Sequence, residues 1–287
     1  MRRAGLVASL GLGLVLAACG PKHAAPAPKD WNAPAQLVTV GPPFASPGER
    51  VRYRVSVVNV EIAQFVIAVG EISDFEGKRA LTLQAAAQSV GLAARLKPVS
   101  MEITSWLDVA TGQPLLFRSV ETAADVQTEQ DEARFTQLAN KMLPVAVSTP
   151  DVAEKIEQQV TNGQPQEMLG VLLQLRAWDG KTGDQRTFEA MRSKFMWRLQ
   201  ATIAGKESLS TALGELPTVK VEAITRRLMR DGSLDKGTAP RKFTVWVSDD
   251  ADRVPLLMVA ETDHGDVRLE IADYTAGSAN LQTIVNP

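Results

Sequence analysis

Side chains that could do acid–base or nucleophilic chemistry are few in this 287-residue chain, which has only two histidines, His23 and His264. No histidine pair has the spacing of a zinc site, and no Gly-x-Ser-x-Gly turn presents a serine nucleophile. His264 has acidic neighbours in a predicted turn, where a solvated histidine is the simpler interpretation. We therefore predict no catalytic residue, no metal site and no cofactor.

Two segments imitate parts of known ligand-binding motifs. Residues 180–182 (Gly-Lys-Thr) match the end of a phosphate-binding loop, but Leu175 stands where the first glycine of that loop belongs, so we interpret the segment as a turn. Asp249, Asp250 and Asp252 could offer oxygen atoms to calcium, but the glycine and the closing glutamate of the usual calcium loop are missing. An aspartate-rich hairpin turn is the better interpretation of this segment.

Two further chemistries stay open as less favoured alternatives. A hydrolase with an unrecognised acidic site is one, because acidic residues occur on every predicted solvent-exposed strand face. A sugar-stacking surface is the other, since Trp106, Trp178, Trp197 and Trp246 could each present a ring, although most should lie in the core or at sheet edges. Neither alternative has a residue pattern that identifies a substrate.

The amino terminus has the features of an export signal. Arg2 and Arg3 are followed by an apolar stretch that is too short to cross a bilayer, and then by small residues. Leu16-Ala17-Ala18-Cys19 resembles the bacterial lipobox, and this resemblance implies cleavage before Cys19 and acylation of its sulfur and of the new amino terminus. Cys19 is the only cysteine, which favours a lipidated residue over a free exported thiol. Because Gly20 stands where an aspartate would resemble an inner-membrane retention signal, we expect anchoring to the outer membrane, facing the periplasm.

Composition excludes one large class of partner. Loss of residues 1–18 removes Arg2 and Arg3 and leaves 29 basic against 33 acidic side chains, with no basic stripe. Nucleic-acid binding normally requires a clustered positive surface, so we expect no nucleic-acid partner. The membrane, through the acyl chains on Cys19, is the expected partner, with a lipid or another envelope protein as further possibilities.

The period of the apolar residues predicts the domain organisation. Residues 19–47 are rich in proline and alanine and predict an extended, lipid-anchored tether. From Glu49 the period becomes two, and we predict about ten short strands separated by turn residues. The expected organisation is a signal peptide (1–18), the tether (19–47), a single β-rich domain (48–275) and a carboxy-terminal tail (276–287).

Two helices are predicted within this β-rich domain. Residues 152–160 predict a short polar helix. Residues 166–178, which follow Pro165, predict a helix that is apolar around most of its circumference and should therefore be buried. The fold class that follows is mainly β: a curved antiparallel sheet or half-barrel with the apolar helix packed on its concave side.

The order of these features resembles the family of exported bacterial envelope proteins known as domain of unknown function 3108. The resemblance covers roughly residues 48–273 and is most specific over the segment from Val245 to Pro255. Its other matching pieces are Gly48-Glu49 with Tyr53, Leu173–Arg176, Gly183-Asp184, and Leu213–Pro217 with Val219–Val221. The family has no established activity, so the resemblance implies a fold and a compartment but no site.

Residues 135–165 are longer and more polar than the corresponding link in the family. In architecture alone, the predicted sheet and helix also resemble the half-barrels of periplasmic lipoprotein carriers.

The leading functional hypothesis is a non-catalytic lipoprotein whose concave apolar sheet binds a lipid, an acylated ligand or a partner segment. The alternative is a structural or assembly module that binds another envelope protein. The hypothesis depends on the strand at 62–72, which is apolar on both faces, lying opposite the apolar helix at 166–178. The residues that we expect to line an apolar cavity are Phe65, Ile67, Leu169, Leu172 and Trp197.

Overall fold

The computed structural model describes residues 41–161, 164–262 and 265–282. The predicted signal peptide, the lipidation site Cys19 and both histidines lie outside these residues. Among the residues that are described, no helix is long and apolar enough to cross a membrane.

In the described ranges fifteen strands form one sheet, and the predicted mainly β class is confirmed. In chain order the strands are β1 (Arg50–Val57), β2 (Val60–Phe75), β3 (Lys78–Ser89), β4 (Val99–Asp108), β5 (Pro114–Ala123), β6 (Val126–Arg134), β7 (Met142–Ser148), β8 (Ala153–Gln159), β9 (Gln166–Glu167), β10 (Gln185–Arg192), β11 (Phe195–Thr211), β12 (Gly214–Arg227), β13 (Arg241–Ser248), β14 (Pro255–Ala260) and β15 (Val267–Thr275). The helices are α1 (Gly91–Leu96) and α2 (Met168–Arg176), and a 3-10 turn spans Phe135–Gln137.

Strands that are neighbours in the chain are, with few exceptions, neighbours in the sheet. The order runs from β8 down to β1, crosses to β15, and continues down to β9. All pairs are antiparallel except β9 with β10. The β8 edge of the sheet then contacts the loop that follows β12. The Gln159 N–H donates to the Arg230 carbonyl at 2.8 Å, and Gln158 Nε2 donates to the Met229 carbonyl at 2.9 Å. The sheet therefore curls until its β8 edge lies against the loop after β12.

The region from 135 to 165 differs most from the sequence-based expectation. The predicted polar helix at 152–160 is wrong, because residues 153–159 form strand β8. Within it only Ile156 and Gln158 are buried, and this alternation is the period of a strand. The structure also has more strands than the ten or so that were expected. Strands such as β6 and β8 carry few apolar residues and so lack the apolar–polar alternation from which a strand is predicted.

Helix α2 is confirmed as a buried apolar helix but is shorter than predicted. The residues before it, Gln166 and Glu167, pair in parallel with Ala190 and Met191 as strand β9, so the helix begins only at Met168. It ends at Arg176, and most of its side chains are buried. The buried Leu169 and the half-buried Leu172 face Ile67 of β2 across the interior of the curved sheet.

The curved sheet has two distinct ends. The strap end carries residues 41–49 and 276–282, which are joined by hydrogen bonds from the Leu281 N–H to the Ala45 carbonyl and from the Ser278 N–H to the Pro47 carbonyl. The rim end carries the turns at 58–59 and 124–125 and helix α1. Because residues 41–47 and 276–282 pack on the sheet, the folded part extends beyond residues 48–275 on both sides.

A buried ion pair fixes α2 at the strap end. Arg176, the last residue of α2, donates two hydrogen bonds to the carboxylate of Glu49, at 2.7 and 3.0 Å. The side chains are only 5% and 1% exposed. The same guanidinium also donates to the carbonyl oxygens of Asp252 and Arg253, so its hydrogen-bonding capacity is well used.

We predict that Arg176→Met destabilises the fold by about 3–5 kcal/mol, because it leaves the Glu49 carboxylate buried without its cation. Urea unfolding of the mature chain carrying Cys19→Ser measures the change. The matched control is Arg52→Met, which removes an exposed pair with Asp273 at 3.6 Å and should cost less than about 1 kcal/mol. Equal losses in the two variants would contradict the anchoring role of the buried pair.

We further predict that Gly277→Ala destabilises the strap end by about 1–3 kcal/mol. A Cβ atom at Gly277 would lie 2.4 Å from the Ser46 carbonyl oxygen and 2.6 Å from that of Pro47, and these backbone atoms cannot rotate away. Gly41→Ala is the control, since a Cβ atom there meets nothing within 4 Å. An equal shift of the thermal unfolding midpoint in both variants would contradict this prediction.

Candidate functional site

The most promising site is an apolar cavity of about 140 Å³ between α2 and the interior of the sheet. Its walls come from α2 and from the rim-end halves of strands on both sides of the sheet, and every lining residue is apolar except Arg192 and Thr225. A smaller space of about 20 Å³ lies on the other side of α2, next to Glu49 and Arg176. The helix therefore fills the strap-end half of the interior and leaves the rim-end half open.

The five residues predicted from the sequence all lie on this cavity. Phe65 and Ile67 come from β2, Leu169 and Leu172 from α2, and Trp197 from β11. The structure thus brings all five together, and their role in binding a ligand stays a prediction.

The cavity wall is partly accessible in the rim-end half of the interior, as comparison along single strands shows. On β4 the interior residue Leu107 is buried near the strap end and Met101 is half-buried, although Val99, still closer to the rim end, is buried again. On β13 the same pattern occurs at Val247, Phe243 and Arg241. Half-buried apolar side chains in this half of the interior indicate that solvent or a ligand can reach this part of the cavity.

Methionine contributes much of the wall, a feature that the sequence analysis did not use. Met101, Met168, Met191 and Met258 line the cavity, and the whole chain has eight methionines. Because this side chain is unbranched and flexible, a wall made of it can change shape around an apolar guest. The four residues are far apart in sequence, so no local pattern predicts that they meet.

Two lining residues, Trp197 and Arg192, carry nitrogen groups near the cavity. Trp197 is buried, and its equally buried indole N–H has no hydrogen-bond partner in the described structure. Arg192, on the neighbouring strand β10, is half-buried, and burial lowers its pKa to about 10 against the opposing effect of Glu121. It therefore remains a cation at neutral pH. A bound molecule could supply an oxygen to this N–H only after the indole ring or its neighbours shift.

A polar cluster borders the cavity where the turn between β10 and β11 meets β6. Ser193 Oγ lies 2.6 Å from an oxygen of Asp131 and 2.9 Å from one of Glu129. A hydroxyl has one proton, so it cannot donate to both carboxylates. Burial raises the pKa of Asp131 to about 7, which allows a protonated Asp131 to donate to Ser193 instead. With Lys194 also bonded to Glu129, the cluster holds the two halves of the sheet together beside the cavity.

Glu167 is a second buried carboxyl group, at the amino terminus of α2. It is fully buried and accepts hydrogen bonds from the Leu169 N–H at 2.8 Å and the Gly170 N–H at 2.5 Å, which caps the helix. Burial nevertheless dominates and raises its pKa to about 7. Neither Glu167 nor Asp131 was identified from sequence, because tertiary burial alone distinguishes them from other acids.

The motif fragments found in the sequence lie in turns whose polar groups bond within the protein. Gly180 packs closely against Trp178 and Ile203, and the Lys181 N–H donates to Asp184, so this backbone donor is already used. Asp250 accepts from the backbone of its own turn, as an aspartate-rich turn requires. Within the described ranges, no group of three or more histidine, cysteine or acidic side chains is placed to hold a metal ion.

Comparison with known proteins agrees with this architecture. The family described as "Protein of unknown function (DUF3108)" matches residues 52–272. No curated protein matches. A solved β-barrel-like protein of the unknown-function family DUF1849 from Brucella abortus is 11% identical and covers 83% of this chain and 98% of its own, with a TM-score of 0.52, so the similarity shows the fold alone.

Two other solved structures are more distant. A protein described as exported, with a YmcC-like fold, from Bacteroides fragilis is 8% identical over 83% of this chain and 100% of its own, with a TM-score of 0.36. A protein described as a lipoprotein from Parabacteroides distasonis is 9% identical over 84% of this chain and 100% of its own, with a TM-score of 0.35.

We predict that Glu167→Gln removes part of the pH dependence of stability. A carboxyl group whose pKa is raised from 4.5 to about 7 on folding stabilises the fold fully below pH 4.5, and this contribution is lost as the pH rises through 7. Between pH 5 and pH 8, the free energy of unfolding of the variant should therefore gain roughly 2–3 kcal/mol relative to the unsubstituted chain. Urea titrations across this range measure the difference.

The control for this experiment is Glu71→Gln, at an exposed position on β2. Its stability curve should run parallel to that of the unsubstituted chain at every pH. A parallel curve for Glu167→Gln as well would show that the buried carboxyl group does not titrate in this range.

Proposed function

The chain belongs to the DUF3108 family of proteins of unknown function, and from this membership together with the open apolar cavity we propose that it is a non-catalytic envelope lipoprotein that binds one acyl chain between α2 and the sheet. The observation that carries the proposal is a partly accessible cavity whose lining is apolar except for Arg192 and Thr225. A water-filled cavity of this composition would offer its water almost no hydrogen bonds, so an apolar guest is favoured.

The size of the cavity sets the kind of guest. About 140 Å³ is close to the engineered cavity that holds one benzene ring, so it accommodates the end of a single acyl chain rather than a whole lipid. The rest of the chain and its polar group would extend toward the rim end. Rearrangement of the methionine side chains would admit a longer part of the acyl chain.

The polar groups at the wall favour an acyl ligand with an oxygen near the rim end. The buried Trp197 N–H lacks an acceptor, and an ester or carboxyl oxygen would supply one when the methionine-rich wall rearranges to admit it. Arg192 adds a positive charge beside it, which suits a carboxylate or a phosphodiester. A fatty acid or a glycerolipid has an acyl chain that ends in an oxygen-bearing polar group, so the chain can enter the cavity while the polar group stays near its wall.

The location in the cell follows from the amino-terminal sequence. Acyl chains on Cys19 would hold the protein at the outer membrane with the folded part in the periplasm, because two or more chains give stable anchoring. A non-catalytic role is favoured because the polar cluster beside the cavity contains no histidine, and its carboxyl groups are bonded to Ser193 and Lys194.

We predict that the mature chain carrying Cys19→Ser binds a fluorescent fatty acid such as cis-parinaric acid, and that Ala190→Phe weakens this binding at least tenfold. Ala190 lines the cavity, so a phenyl ring there would occupy the space of the guest. The matched control is Ala146→Phe, which adds the same ring at an exposed position on β7 and should bind normally. Fluorescence titration measures all three affinities.

A second variant covers the case in which Ala190→Phe does not fold. Trp197→Phe keeps an aromatic ring but removes the N–H, and should weaken binding about five- to tenfold, whereas Trp246→Phe, whose indole bonds Glu207, should not. Native mass spectrometry should also detect an acyl ligand that co-purifies. Absence of both probe binding and co-purifying lipid would rule out the proposal.

A further inference from the structure

Exposed large apolar side chains gather at one end of the molecule. Of the nine such residues in the part of the chain that the structure describes, six lie at the rim end, Leu213 lies at the strap end, and Phe195 and Met229 lie beside β8. The main members of the rim-end group are Val58, Val60, Leu92, Leu96, Val126 and Val152. They come from four successive connections, those between β1 and β2, β3 and β4, β5 and β6, and β7 and β8, so they form a row along the edge rather than a random scatter.

The turn at 58–59 shows that these side chains are not explained by local structure. Val58 has φ +49° and Asn59 has φ +62°, the conformation of a tight hairpin turn that favours asparagine and glycine. A β-branched residue is strained at positive φ, and Val58 is also 70% exposed, so it gains little from burial in return. A valine at this position therefore costs stability in the isolated protein.

Helix α1 has the same character. None of its six residues is buried. Leu92 and Leu96 are four positions apart, so they lie on the same face, and they are 68% and 78% exposed. Arg95 is exposed beside them. A short helix that presents two leucines to solvent is expected to bury them against something outside the chain.

The occupant that best fits this row is a lipid surface. The side chains are aliphatic and are spread over four separate connections, with exposed polar residues such as Asn59, Asp125 and Asp151 between them. A protein partner would need a continuous patch, usually with aromatic residues, whereas a fluid bilayer closes around each tip separately. The cavity also lies in this half of the molecule, and its wall includes the half-buried Ile62 next to the turn at 58–59.

The length of chain before the described residues permits this contact. Cys19 and Gly41 are separated by 22 positions, which span at most roughly 75 Å when extended. Strand β1, from the strap end to the rim end, has 8 residues and is about 26 Å long. An anchor at Cys19 can therefore run back along the molecule and leave the rim end on the same membrane.

We propose that the rim end docks on a bilayer by inserting these aliphatic side chains, which places the mouth of the cavity against the acyl chains of the membrane. The orientation rests on the lipid anchor in the proposed function, but docking itself is separable from ligand binding. Because the row is apolar and the mature chain is acidic, insertion rather than charge attraction drives the contact.

Vesicle sedimentation with the unacylated mature chain (Cys19→Ser) tests the proposal. The probe is a vesicle of phosphatidylethanolamine and phosphatidylglycerol in a 3:1 ratio. The unsubstituted rim should bind, and binding should change less than twofold in 0.5 M salt. Val58→Asn/Leu92→Gln/Leu96→Gln should bind at least tenfold more weakly, since asparagine suits the turn and glutamine suits the helix. Leu213→Gln, an exposed apolar turn residue at the strap end, should bind normally.

Four results would overturn docking: no vesicle binding by the unsubstituted rim, equal binding by the triple variant, loss of binding in salt, or a dimer formed through the rim that excludes vesicles. Fatty-acid binding in solution separates this inference from the proposed function. The triple variant should keep its affinity for the fatty acid, and Ala190→Phe should keep its affinity for vesicles. Failure of the fatty-acid titration alone would remove the cavity's role and leave docking standing.

Discussion

The interior of the curved sheet is longer than the one helix that fills it. Helix α2 has nine residues and is about 14 Å long, whereas the strands around it have up to 17 residues and exceed 50 Å at their longest. One helix therefore cannot pack against the whole interior. The half without a helix is left as the cavity, and its apolar lining is the same set of alternating side chains that forms the core elsewhere.

The position of α2 decides which half stays open. Its carboxy-terminal Arg176 pairs with Glu49 and bonds the turn before β14, which draws the helix to the strap end. Its amino terminus is fixed by Glu167 and by the short parallel strand β9. Charges buried at such anchors contribute more to placement than to net stability, because desolvation offsets much of their attraction. The open end then coincides with the row of exposed aliphatic residues.

Much of the fold could be predicted from the sequence because its signals are local. Strand β1 alternates Val51, Tyr53 and Val55 with charged residues, and the structure buries those three. Strand β8 could not be predicted, since it is a polar edge strand whose only buried residues are Ile156 and Gln158. Its conformation depends on pairing with β7 and on contacts with the loop after β12, which are distant in sequence.

The sequence by itself predicted the mainly β fold class and named five apolar residues that meet at the cavity, because period, composition and side-chain type act over short distances along the chain. Only the tertiary structure decided that the cavity lies beside α2, that four methionines line it, and that Asp131, Glu167 and the Trp197 N–H are buried. These properties depend on which distant strands approach one another and on how far one short helix extends between them.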